Sequence, residues 1–144
     1  MRVSVRPVAS PAELETALAV RRAVFIEEQG VSEAEEMDGR DAEALHLVAV
    51  TTDDRVVGTC RLLQADTKIK LGRVAVLPDA RRQGIALQLL RAGEQHGRAL
   101  GGQRAVLGAQ TYAIGLYEQA GYAVCSDTFL DAGIEHVWME KRLS

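Results

Sequence analysis

Between Lys70 and Leu90 the sequence KLGRVAVLPDARRQGIALQLL passes from an apolar stretch through a Pro-Asp turn into a short basic loop, then into a segment with helical spacing. Leu71 to Val76 reads as a buried strand, and Ala86, Leu89, Leu90 and Gly93 recur as one face of an amphipathic helix that can pack on a sheet. A strand, a crossover helix and a further strand imply a parallel pair with a right-handed connection. The start of such a helix leaves backbone N–H groups without intrahelical partners and carries the positive end of the macrodipole, which suits an anion such as phosphate. Arg81 and Arg82 add fixed charge there, Gln83 adds an amide donor, and Gly84 lacks the Cβ that would hold a ligand off the backbone. No Lys-Ser/Thr pair follows a G-x-x-x-x-G, and no G-x-G-x-x-G opens the helix, so two common phosphate loops are excluded. Read alone, the loop could equally be a polar turn with a solvated Arg pair.

The rest of the chain supplies a sheet for this hinge. Val3 to Val8 alternates as a first strand, and Ser10, Pro11 and Glu13 provide an N-cap, a first-turn proline and a capping-box glutamate. The helix that follows carries Leu14, Ala17, Leu18, Arg21 and Phe25 on one face and loses its pattern near Gln29-Gly30. Glu33 to Asp41 is polar, with room for a short second helix. Leu45 to Thr51 and Arg55 to Gln64 form an antiparallel hairpin about Thr52-Asp53-Asp54. Gly101-Gly102 ends the long helix, Arg104 to Ala109 is the next strand, and Tyr112 to Ala120 is a helix stopped by Gly121. Tyr122 to Phe129 and Glu135 to Leu143 close the chain as strands. The expected fold is α/β, a mixed central sheet of about seven strands with helices on both faces, in one domain spanning residues 1–144.

Composition narrows the function. At 144 residues, with 17 basic and 20 acidic side chains and a formal net charge of -3, the chain suits one soluble domain and lends no electrostatic support to nucleic-acid binding. No apolar run is long enough to span a bilayer and no signal peptide opens the chain, so the expectation is a cytoplasmic protein without membrane partners. Two cysteines, Cys60 and Cys125, lack C-x-x-C spacing, which indicates neither a metal site nor a disulfide and suggests two small buried residues. Charge is uneven: from Glu27 to Glu43 eight carboxylates face only Arg40, whereas Arg73, Arg81 and Arg82 cluster about the hinge. One end of a site could hold an anion and the other a cation, unless the acidic run is simply solvated.

Two cassettes carry a family resemblance. RRQGIA, Arg81 to Ala86, fits Q/R-x-x-G-x-G/A, and QTYAIGLYEQAGY, Gln110 to Tyr122, sets an amide side chain before a helix, then a Tyr, then a Gly-aromatic pair. In this order and on this element pattern they resemble the GNAT acetyl-CoA-dependent N-acetyltransferases over essentially the whole chain. RRAVFIEEQGV, Asp38, Asp41, His46 and GIEHVWM further resemble the ElaA-like branch of that family. The resemblance implies a splayed sheet, in which the strand of Val74, Ala75 and Val76 parts from that of Val106 to Ala109. Backbone groups of Val74 and Val76 would pair with pantetheine, and Arg81, Arg82, Gln83, Gly84, Ile85 and Ala86 would cradle the pyrophosphate, with Gln110 and Tyr117 completing the acetyl-CoA site.

Acetyl transfer needs a neutral amine, an oriented thioester and a proton for the departing thiolate. Tyr117 suits the last task, since a phenol of pKa about 10 stays protonated near neutrality and can donate to a thiolate whose thiol lies near 8.5; its alternative is an aromatic packed on the sheet. Glu28 is the expected base or ammonium partner at the acceptor site. His46 and His136 are alternatives, because imidazole titrates near working pH, and Asp38 could hold a cationic acceptor. A covalent route through Cys60 or Cys125 lacks a neighbouring base, which favours direct transfer in a ternary complex without metal. The competing class is a non-catalytic acyl-CoA-binding module. The acceptor amine, small molecule or peptide, and the choice between monomer and homodimer stay open.

Overall fold

A computed structural model describes residues 1–143. In chain order these form β1 (Val3–Pro7), α1 (Pro11–Arg21), α2 (Glu33–Glu36), β2 (Leu45–Thr51), β3 (Val56–Ala65), β4 (Lys68–Val76), α3 (Ile85–Ala99), β5 (Arg104–Gln110), α4 (Ile114–Gln119), β6 (Ala123–Val124), β7 (Phe129–Asp131) and β8 (Ile134–Arg142). The strands make one mixed sheet in the order β1-β2-β3-β4-β5-β8-β6, with β7 paired to β8. The expected mixed sheet with helices on both faces is present. Its eight strands exceed the expected seven because the predicted strand Tyr122 to Phe129 is two short ones. The Ser126 hydroxyl accepts the Trp138 N–H at 2.8 Å, taking the place of a strand carbonyl and letting the chain leave the ladder. Ala132 and Gly133, at φ 53° and 75°, then turn β7 back into β8.

Strand alternation explains why both faces are covered. Leu47 and Ala49 of β2 join Ile85, Leu89 and Leu90 of α3 in one core, while Val48 and Val50 meet Ala17, Val20 and Val24 on the other side. Gly93 permits close packing of α3: a Cβ there would stand 2.6 Å from the Leu71 side chain. The Ser10 hydroxyl caps α1 by accepting the Glu13 N–H at 3.1 Å, as the sequence suggests. The predicted long first helix is α-helical only to Arg21, and Arg22–Glu28 continues as a π-helix. There the Gln29 N–H reaches the Val24 carbonyl at 3.1 Å, the wider spacing of such a turn.

Two irregularities open the sheet. Parallel pairing of β4 with β5 is confined to Lys68↔Arg104, Ile69↔Ala105 and Lys70↔Val106, and beyond Lys70 the strands part. On the other edge of β4 the register slips between Arg61↔Gly72 and Thr59↔Ala75, so Cys60 faces both Arg73 and Val74. Arg73, at φ 51°, marks this bulge. No described helix is long and apolar enough to cross a membrane.

Candidate active site

The hinge folds as its residues dictate. Pro78–Ala80 is a 3-10 turn, Arg82 and Gly84 take φ of 62° and 78°, and α3 begins at Ile85. Gln88 donates the first helical hydrogen bond, to the Gly84 carbonyl at 3.1 Å, so the N–H groups before it have no intrahelical acceptor. The positive φ is the stronger reason for glycine at position 84, because a Cβ there would meet no protein atom within 4 Å. Arg82 and Gln83 are exposed at this end. Arg81 is engaged: its Nε donates to the Val76 carbonyl at 2.9 Å, and its two terminal nitrogens donate to Glu28 at 2.6 and 2.5 Å. That fork holds the Glu28 carboxyl below its ordinary range.

Behind the hinge lies a cleft of about 390 Å³. Val74, Ala75 and Val76 of the open β4 edge form one wall, Gly84, Ile85 and Ala86 the helix start, and Arg81, Arg82 and Glu28 the rim, with Tyr112 and Tyr117 opposite. Of the residues expected to hold the cofactor, Gln83 and Gln110 do not line it. Gln110 instead donates its amide to Gln29 Oε1 at 2.9 Å and lines a second cavity of about 170 Å³ inside the fork of β4 and β5. Tyr117 lines both spaces. Burial pushes its phenol up to about 12. Its ring packs edge-on to Tyr122, whose hydroxyl donates to buried Glu94 at 2.8 Å, and Lys141 pairs with the same carboxylate at 2.8 Å. This small network anchors the turn after α4 and with it the position of Tyr117.

The second cavity is aromatic and contains His136. The His136 Nδ1 lies 2.7 Å from the Ile134 carbonyl, which can only accept, so Nδ1 carries a hydrogen and Nε2 is the ring nitrogen left to face the cavity. Phe129 stacks between this imidazole and Trp138 at centroid distances of 5.9 and 5.4 Å. Lys70, Arg73, Gln29 and Asp131 also line it. Gln29, Lys70, Phe129 and Trp138 are not among the expected site residues, although the alternation of His136 and Trp138 on one strand is a signal that both face one cavity.

Asp38 and His46, the other expected acceptor residues, line neither space. Asp38 accepts two hydrogen bonds from Arg61 at 2.8 Å, and this guanidinium holds its carboxyl well below the usual range. His46 is buried, with Nε2 2.9 Å from the Asp41 carbonyl. They belong to a network that fastens the α2 region to β3, β4 and α1: buried Arg21 pairs with Glu36 and Asp41 at 2.6 Å, and Arg61 reaches Asp41 at 3.2 Å. Buried charge of this kind needs partners on every side.

Cys60 is buried and its thiol is pushed up to about 12 by burial, far from a reactive thiolate. Cys125, expected to be buried, is exposed, because it follows the short edge strand β6 at the open side of the sheet. Among the described residues no three His, Cys, Asp or Glu side chains are grouped to hold a metal.

The same chain matches the family description of an acetyltransferase (GNAT) domain over residues 8–143. The chain belongs to the GNAT acetyltransferase family. The GNAT likeness extends to a Bacillus subtilis protein named as the uncharacterized N-acetyltransferase YjcF, 38% identical over 130 residues that cover 90% of this chain and 92% of that one. A provisionally named N-acetyltransferase from Lactobacillus plantarum superposes with a TM-score of 0.91 at 32% identity, covering 100% of both chains. Escherichia coli ElaA shares the fold, with a TM-score of 0.85 at 23% identity over 97% of this chain and 99% of its own. In this GNAT domain β4 and β5 part beyond Lys70, and the aromatic cavity in that fork adjoins the hinge-side cleft, with Val74, Tyr112 and Tyr117 among the residues lining both.

Proposed function

We propose that this GNAT protein transfers an acetyl group from acetyl-CoA to a primary amine, on a small molecule or a peptide, by direct attack in a ternary complex. The observation that carries the reading is Tyr117, a protonated phenol shared by the hinge-side cleft and the aromatic cavity. Acetyl-CoA, when bound, supplies the activated acyl carbonyl. The residues that fit it are the open edge of β4 at Val74 and Val76 for the pantetheine amides, and the exposed start of α3 with Arg82 and Gly84 for the pyrophosphate. The Val76 carbonyl already accepts from Arg81, so the Val76 N–H and the Val74 groups are the ones left for pairing.

The acceptor attacks as the neutral amine: its nitrogen forms a bond to the acyl carbon as the C–S bond breaks, and His136 Nε2 takes the one proton that this nitrogen sheds. Tyr117 gives its hydroxyl proton to the departing sulfur, and solvent exchange returns both groups to their starting states. The base role goes to His136 rather than Glu28 because a carboxylate held by a guanidinium fork is a weaker base, whereas the Ile134 carbonyl engages only Nδ1 of the imidazole. Glu28 instead fills the Arg81 fork.

The test is release of free CoA thiol from acetyl-CoA across a panel of amines. Amine-dependent release is expected, and its absence with every amine while acetyl-CoA still binds would leave a non-catalytic acyl-CoA-binding module.

A further inference from the structure

Lys70 is the last residue of β4 paired to β5, so its side chain stands where the sheet forks. It lines the aromatic cavity and also an adjoining open groove of about 420 Å³, and Trp138 is shared in the same way. The ammonium lies 5.2 Å from the centre of the Trp138 ring. Among the described residues no carboxylate comes within ion-pair distance of it. The acids around it are already committed: Asp38 to Arg61 and Arg73, Asp41 to Arg21 and Arg61, Glu36 to Arg21, and Glu140 to Arg104. The charges that act on Lys70 are mostly cationic, with Asp38 opposing them. Burial first, and then repulsion from Arg61, Arg40 and Arg73, depress its pKa. Arg73 lines the same cavity, and its Nε is buried without a hydrogen-bond partner.

A partly desolvated, unpaired ammonium beside other cations is unfavourable in the free protein and is relieved by an anion. Arg73 reaches the other flank of the cavity as well, but there it is joined by a carboxylate. His136 and Asp131 are shared with a small depression of about 70 Å³, and among the described residues the Asp131 carboxylate has no ion-pair partner. Phe129 and Trp138, stacked on each other, line the same cavity, with Phe129 also against His136 and Trp138 against Lys70.

We propose that Lys70 binds the carboxylate of the acceptor, so that the substrate class is a small amine that also carries a carboxylate and an apolar or aromatic body, as in an amino acid. The amine of such a zwitterion is presented to His136 and Asp131, and its body packs on Phe129 and Trp138. This rests on the acetyl-transfer reading, which it deepens by naming the acceptor.

The experiment compares phenylalanine with phenethylamine, which differ by the carboxylate alone, in wild type, Lys70→Met and Lys70→Arg. Acetyl-CoA affinity serves as the check that each variant is folded. The expected result is a kcat/KM for phenylalanine higher by about tenfold or more, the worth of one charge-assisted pair. The advantage disappears through KM in Lys70→Met and returns in part in Lys70→Arg. Equal kcat/KM for the two amines in wild type, or an advantage that survives Lys70→Met, would overturn the assignment. A second arm needs no turnover: calorimetric titration of N-acetylphenylalanine and N-acetylphenethylamine into the CoA-loaded protein. If no amine is acetylated, the transfer reading fails while this arm still decides Lys70. Tighter binding of the carboxylate compound, lost in Lys70→Met, supports the anchor, and equal binding removes it.

Discussion

Arg81 donates two hydrogen bonds to Glu28, at 2.6 and 2.5 Å, joining the phosphate-type hinge to the end of the first helix 53 residues earlier in the chain. Both groups are well exposed, so the pair is worth little as a stability device. Its consequence is for ligand binding, because a carboxylate already occupies the fork that a pyrophosphate would use. Glu28→Gln should free Arg81 and lower the KM for acetyl-CoA by a few-fold while kcat is retained. A fall in kcat of about 10², the size of a general-base contribution, would return Glu28 to the base role.

Tyr117→Phe removes the proper proton donor and keeps the ring against Tyr122. The expected outcome is a fall in kcat of about 10² with acetyl-CoA affinity largely spared. Steady-state kinetics with calorimetry separates the two effects, and an unchanged kcat would exclude Tyr117 as the acid. Because burial raises this phenol to about 12, the wild-type profile should show no loss of the acid up to at least pH 10.

Gly84→Val combines two effects at one position. A β-branched residue at φ 78° carries strain of roughly 1–3 kcal/mol, although its Cβ meets no protein atom within 4 Å. The protein should therefore fold with a lowered melting temperature, and the side chain should obstruct the start of α3 and abolish acetyl-CoA binding. Normal affinity by calorimetry would remove the pyrophosphate assignment.

Asp38 supplies a pH test of the ion network. Arg61 holds its folded-state pKa below the unfolded value of about 3.9, so the ionised form is the one folding favours. The stability it contributes is complete above about pH 4 and is lost as pH falls through the folded value. Urea unfolding of the wild type should weaken below pH 4. Asp38→Asn should be less stable at neutral pH and show a shallower acid limb; parallel curves for the two proteins would show that Asp38 adds nothing.

Local conformation was the legible part of this chain. The N-cap at Ser10, the strand and turn before Arg81, the helix start at Gly84 and the stop after α4 all follow from side chains acting within a few residues of themselves. The π-turn at Arg22–Glu28 and the division of β6 from β7 were not legible, since each depends on hydrogen bonds whose partners are chosen by packing. The same limit governs the site. Asp38 and His46 have the chemistry of acceptor residues, but Arg61 and the Asp41 carbonyl take them into the α2 network. Gln110 meets Gln29 across 81 residues.

What the sequence alone determined was the hinge, Lys70 to Leu90, with its order of strand, basic loop and helix, and the second cassette, Gln110 to Tyr122, that with it carries the family resemblance. Those are short-range properties, set by backbone sterics, hydrophobic period and the free groups of a helix end. Only the tertiary structure decided which carboxylate answers each guanidinium. Arg81 found Glu28, Arg61 found Asp38, and Lys70 was left at the fork with no described carboxylate in reach. Charge pairing acts through space between residues far apart in the chain, so a list of charged side chains contains the candidates and the folded sheet makes the selection.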